Sequence, residues 1–249
     1  MKKNILCIIA LFLSAAVNAE DTAMSESQTD TTSAKVAETQ QDSTVFTPLE
    51  VNYDSLKAFA EDENRYQAAL KKFNDCDTTI TIEDSRNLYY GFTYRTDYST
   101  SADRCHEAED MKKKGKMKKA LKLTQNALKK SPVCMSLIED CFYLQMAVDS
   151  TKKEELDKLK YQYNLLMVTV LQTGTGKDAD NGIKLNWVGD EYAVLRFIRV
   201  NGLKKQSLVY GERTICDKMD VVIDGKDLSI YFDITRYFEE MNKLFSDLK

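Results

Sequence analysis

The spacing of apolar residues changes at Gly174, and that change limits the architectures open to this chain. Upstream, Leu156, Leu159, Tyr163, Leu166, Met167 and Val170 recur on one face of a helix. Downstream, apolar residues fall into short runs at Ile183 to Val188, Gln206 to Tyr210, Met219 to Asp224 and Leu228 to Ile234. Asp224-Gly225 between the last two runs is a two-residue hairpin signal, because both turn positions need positive φ. Tyr192 to Ile198 and the stretch from Thr235 return to helical spacing. The pattern predicts an α+β fold: a mostly helical N-terminal part followed by a small antiparallel sheet with flanking helices. The boundaries are 47–173 for the helical region and 174–249 for the C-terminal module, packed as one globular unit.

The helical part opens with Tyr53, Leu56 and Phe59, then Tyr66, Ala69, Leu70 and Phe73, each set on one face. Thr81-x-x-Asp84 reads as a capping box with Asp in place of Glu, starting a short helix to Gly91. Further on, Gly115, Ala120, Leu121, Ala127, Leu128 and Pro132 resemble the second half of a tetratricopeptide repeat. A glycine turns between helices, alanines allow close approach, and proline ends the second helix. Val133 to Ala147 and the stripe from Leu156 form a second, degenerate pair. In the repeat register the groove-facing positions are Cys105, Glu109, Lys112 and Lys113, then Glu139, Tyr143 and Met146. Glu109, Lys112, Lys113, Glu139, Tyr143 and Met146 are the candidate binding residues.

The N-terminus carries an export signal. Lys2 and Lys3 precede an apolar run from Ile5 to Val17, and Val17-Asn18-Ala19 supplies a small-residue cleavage pattern before Glu20. The run falls short of the ~20 apolar residues of a membrane span. Cys7 lies inside it, not after it, so it forms no lipid-attachment signal. Residues 1–19 read as a signal peptide, and 20–46, rich in Ser, Thr, Gln and acids, as a disordered linker that cannot bury enough apolar surface to order itself.

Composition excludes several functions. The formal charge of −4 falls to −6 when the signal takes two lysines and no acid with it. An acidic exported chain does not suit nucleic acid. His106 is the sole histidine and stands in no nucleophile motif. No Cys-x-x-Cys or His-x-x-x-His spacing offers zinc ligands, and no cofactor motif occurs. Asp178 to Gly182 resembles a calcium loop, but its glycine comes one position early and position twelve is Gly189. Lys112, Lys113, Lys114, Lys116, Lys118, Lys119 and Lys122 read as a solvated face. Five cysteines follow the signal, an odd number that cannot all pair within one chain. The chain reads as a non-enzymatic protein-interaction module without a stable membrane insertion. Two alternatives stand beside it: a glycan- or cell-wall-binding module using an exposed cluster of Tyr89, Tyr90, Phe92, Tyr94 and Tyr98, and a hydrolase with an unrecognised carboxylate pair.

Three segments together resemble a known family: Asp77 to Glu83 leading to Leu88-Tyr89-Tyr90-Gly91-Phe92; Thr173 to Lys177 leading to Asp190-Glu191-Tyr192; and Tyr231 to Ile234. The likeness, spanning Val51 to Phe245, is to an uncharacterised domain-of-unknown-function family of secreted Bacteroidetes proteins. It implies a Gram-negative envelope, periplasmic or secreted, and assigns no catalytic residue. N-terminal sequencing of the exported protein is expected to begin at Glu20; a start at Met1 would overturn the cleavage reading.

Overall fold

A computed structural model describes residues 46–246. The expected signal peptide and nearly all of the expected linker lie outside the described residues. From Leu49 onward the chain forms one compact unit. Seven helices come first: α1 (Tyr53–Glu61), α2 (Glu63–Asn74), α3 (Ile82–Gly91), α4 (His106–Lys113), α5 (Met117–Lys130), α6 (Met135–Val148) and α7 (Lys153–Leu171). β1 (Ile183–Lys184), α8 (Val188–Phe197), β2 (Gly202–Tyr210), β3 (Ile215–Ile223), β4 (Lys226–Asp233) and α9 (Thr235–Ser246) follow. The fold is α+β, with helices first and a sheet after them.

Local sequence explains the boundaries. The Thr81 hydroxyl accepts from the Asp84 amide at 3.0 Å, and the Asp84 carboxylate accepts from the Thr81 amide at 3.1 Å, so the capping box starts α3. Gly115 turns α4 into α5 at φ +68°, a left-handed conformation that a side chain resists. Ala120, fully buried, lets α5 lie close against α6, where Leu121 and Leu144 complete a small cluster with Met111 and Val148. The strand order is β1-β4-β3-β2. β2, β3 and β4 are antiparallel, with Asp224 and Gly225 at φ 49° and 73° in the tight turn between the last two. The sheet is mixed: β1 adds in parallel, Ile183 beside Phe232. A two-residue strand ending a long polar loop has too little pattern to reveal its direction in the sequence.

One aromatic cluster holds the helices to the C-terminal part. Tyr89, Tyr90, Phe92, Tyr98 and Trp187 pack with ring centroids 4.9–6.2 Å apart. The expected exposed tyrosine platform is therefore corrected: Tyr89, Tyr90, Phe92 and Trp187 are buried. Their polar ends are met from inside. The Tyr90 hydroxyl donates to the Lys184 carbonyl (2.9 Å), the Tyr98 hydroxyl to the Asn186 carbonyl (2.8 Å), and the Trp187 indole N–H to the Ser99 carbonyl (2.8 Å). Buried tyrosines need such partners, and here they are backbone carbonyls of β1 and of the loop between β1 and α8. Tyr94 instead stacks on Arg236 of α9, 4.3 Å from its ring centre.

The Tyr89 hydroxyl accepts from the Asn186 amide (3.1 Å) and donates to Asp190 (2.8 Å). Tyr89→Phe strands both partners in the core, so a loss of about 1–3 kcal/mol is expected in urea unfolding. An unchanged midpoint would show that the hydroxyl contributes little.

Candidate functional site

Two features stand out, one open and one sealed. The open one is a groove between α6, α7 and α8. Residues 139, 142, 143 and 146 fall on one face of α6 by helical spacing. Opposite them α7 presents Leu159, Lys160 and Tyr163, and α8 presents Arg196 and Phe197. The cavity between them is about 190 Å³. Phe142, Tyr143, Leu159, Tyr163 and Phe197 form its walls. Glu139 is buried at its base and accepts from Arg196 Nε at 2.9 and 3.0 Å, with Arg196 Nη2 closing a bidentate pair. The Tyr163 hydroxyl donates to the Ala193 carbonyl at 2.9 Å, tying α7 to α8. Burial pushes the Tyr163 phenol well above its usual range. The pair at the base neutralises itself, leaving the slot chiefly apolar.

The six sequence-nominated residues divide. Glu139 and Tyr143 line the groove, and Met146 continues the same α6 stripe; Tyr143 is 58% exposed and Met146 46%. Glu109, Lys112 and Lys113 stand on α4 and do not line the cavity. Lys112 pairs with Asp140 at 3.0 Å, and Glu109 lies 3.9 Å from exposed His106. Most of the lysine run, 113–119, is exposed along the α4–α5 turn. Arg196, Phe197 and Lys160 were not nominated, because nothing in their own segments places α8 against α6 and α7.

The sealed feature is a set of buried acids around the start of α8. Asp190 accepts from the Ser136 amide in the first turn of α6 (2.9 Å), as well as from Tyr89. Asp103, from the loop before α4, accepts from the Gly189 amide in the first turn of α8 (2.7 Å). Each carboxylate thus caps a helix to which it does not belong, where orphan amides and the dipole favour negative charge. Gly189 is required there: a Cβ would sit 2.7 Å from the Asp103 carboxylate. Burial nonetheless raises Asp190 to about 7. Glu191 is driven to about 10, first by burial and then by the Asp217 carboxylate beside it. The protonated Glu191 carboxyl can donate to Asp217, and its oxygens have no other hydrogen-bond partner among the described residues. Separated titration of neighbouring acids can serve acid–base chemistry. Glu191, however, has no exposed surface through which a substrate could be reached.

Among the described residues, no group of three or more His, Cys, Asp or Glu side chains could hold a metal ion. In the Asp178–Gly182 loop, Asp178 accepts from the Asn181 amide of its own loop (3.0 Å) and Asp180 from the Glu212 amide in the turn after β2 (2.8 Å), so both are engaged by backbone. The five described cysteines are free thiols, and burial raises Cys141 to about 12 and Cys216 to about 11. No helix of the described residues is long and apolar enough to cross a membrane.

A family model described as a domain of unknown function, DUF4919, matches residues 55–243. The chain belongs to the DUF4919 family. That span takes in the groove, the aromatic cluster and the buried acids together. The chain matches no curated protein and no solved structure.

The buried acids set a pH dependence. Asp190 and Glu191 hold protons in the folded state that the unfolded chain releases near pH 4 to 4.5. Their stabilisation is complete below that range. It declines as pH rises through about 7 for Asp190 and about 10 for Glu191. Urea unfolding at a series of pH values is expected to show stability falling from pH 5 to 9, by at most about 1.4 kcal/mol per pH unit for each proton. Glu191→Gln should flatten the alkaline part. Equal slopes in variant and wild type would remove Glu191 from this account.

Proposed function

We propose that this DUF4919 protein is a non-enzymatic interaction module of a Gram-negative envelope. Its groove between α6, α7 and α8 receives an apolar side chain from a partner protein. One observation carries the reading: an exposed slot with aromatic and aliphatic walls, over a base whose charges already satisfy each other. An apolar group entering it displaces water without breaking an ion pair. At about 190 Å³ the slot is smaller than the ~300–1,000 Å³ of small-molecule sites and suits one or two side chains of a protein segment. Exposed Lys160 at the rim favours an acidic residue beside that anchor.

Other features support the setting. The Gly115 to Pro132 segment resembles half of a tetratricopeptide repeat, a unit that recurs in protein-binding stacks. The N-terminal signal and the resemblance to secreted Bacteroidetes proteins favour the periplasm or beyond.

A displayed peptide library selected on the purified protein tests the proposal. The enriched peptides should share an aromatic or large aliphatic anchor next to an acidic residue. Leu159→Lys should weaken them at least tenfold, about 1.4 kcal/mol, and Tyr143→Ala by a similar amount. Lys113→Ala, away from the slot, should leave them unchanged. No enrichment, or binding indifferent to Leu159→Lys, would sink the reading.

A further inference from the structure

β2 is one edge of the sheet, with β3 its single strand partner among the described residues. The direction of its backbone groups follows from its neighbours. Ile215, opposite Tyr210, receives the Ile234 amide on its carbonyl (2.9 Å) and gives its own amide to the Thr235 hydroxyl (2.8 Å), both on the β4 side. Inward- and outward-facing pairs alternate along an antiparallel ladder. Tyr210, Leu208 and Gln206 therefore aim their N–H and C=O groups away from β3, at the open edge. The Gly211 amide, donating to the Thr214 carbonyl (3.0 Å), closes the hairpin in the same phase.

Exposed edges are ordinarily blunted by lysines and bulges. Here those guards occupy only the first half of the strand: Lys204, Lys205 and the register shift between Leu203 and Lys205. From Gln206 to Tyr210 there is no charge and no bulge. Leu208 is 41% exposed and Tyr210 72%, and alternation puts them on one face with Gln206. The Tyr192 hydroxyl donates to Gln206 at 2.9 Å, so a further half-exposed ring borders that face.

We propose that β2 pairs antiparallel with β2 of a second copy, about a two-fold axis at Leu208. That register sets Leu208 against itself, Gln206 against Tyr210 and Ser207 against Val209, and carries Lys204 toward Glu212 in the turn that follows β2. Every outward backbone group from Gln206 to Tyr210 then finds a partner. The charges select the axis. Centring on Ser207 would set Lys204 against Tyr210 and Lys205 against Val209; centring on Gln206 would set Lys204 against Leu208. Centring on Leu208 brings each Lys204 to a carboxylate. Glu212 is exposed and forms no ion pair among the described residues, while Lys204 has a solvent-exposed tie to Asp227 (2.6 Å) that can be shared. A two-fold contact of this kind is self-complementary and closed.

Sedimentation of the protein from Glu20 onward tests this, at up to about 100 µM, enough to reveal micromolar association. A dimer is expected. Leu208→Pro should give a monomer with unchanged circular dichroism and melting, because the amide it removes serves no bond within the fold and proline is tolerated on such an edge. Lys204→Glu should weaken the dimer about tenfold, and adding Glu212→Lys should restore it. If Leu208→Pro disturbs folding, Leu208→Cys decides, since the axis brings two copies of that residue within disulfide reach. A monomeric wild type, a dimer indifferent to Leu208→Pro, or no cross-link through Leu208→Cys each overturns the proposal.

Discussion

The fold depends on a buried hydrogen-bonded chain that runs from Asn186 through Tyr89 to Asp190 and on to Ser136. It joins a helix of the first half, the loop before α8, and the start of α6. The surrounding aromatic rings exclude water, which strengthens each bond and raises the cost of leaving any of them unmade. The groove inherits its geometry from this chain. Asp190 fixes the N-terminal end of α8 against α6, and one to two turns later Arg196 meets Glu139 across the slot.

Groove and strand edge are open for different reasons. The groove is lined by side chains whose polar needs are met internally, so it offers an apolar body to whatever enters. The β2 edge offers the reverse: backbone groups without partners, in a stretch whose side chains do little to deter pairing. On the two proposals, one surface would select by shape and hydrophobicity, the other by register and charge.

Much of the architecture was legible in the sequence. The capping box at Thr81, the glycine turn at Gly115 and the Asp224-Gly225 hairpin depend on bonds and dihedrals within a few residues, and each sits where local chemistry puts it. The long stripe on α7 was readable because 3.6-residue spacing persists over several turns. What was not legible is tertiary. Tyr89 and Tyr90 look the same in sequence whether buried or exposed, and burial depends on Trp187 nearly 100 residues away. Of the groove, Glu139 and Tyr143 were found through their repeat register, whereas Arg196 and Phe197 were not. Glu191 gave no signal at all, since an acid in the first turn of a helix is ordinarily a solvated one.

The exchange of helix caps bears on the order in which the chain can take shape. An emerging polypeptide presents α6 first, yet the carboxylate that satisfies its Ser136 amide lies 54 residues further on. The cap of α8, in turn, is supplied by a residue 86 positions earlier. Neither helix end is complete until both halves have been synthesised and have met. Such non-local closure slows folding and makes it all-or-none. The helical half on its own therefore lacks the native cap of α6. A chain cut at Gly174, where the apolar spacing changes, would lose the acid that finishes α6.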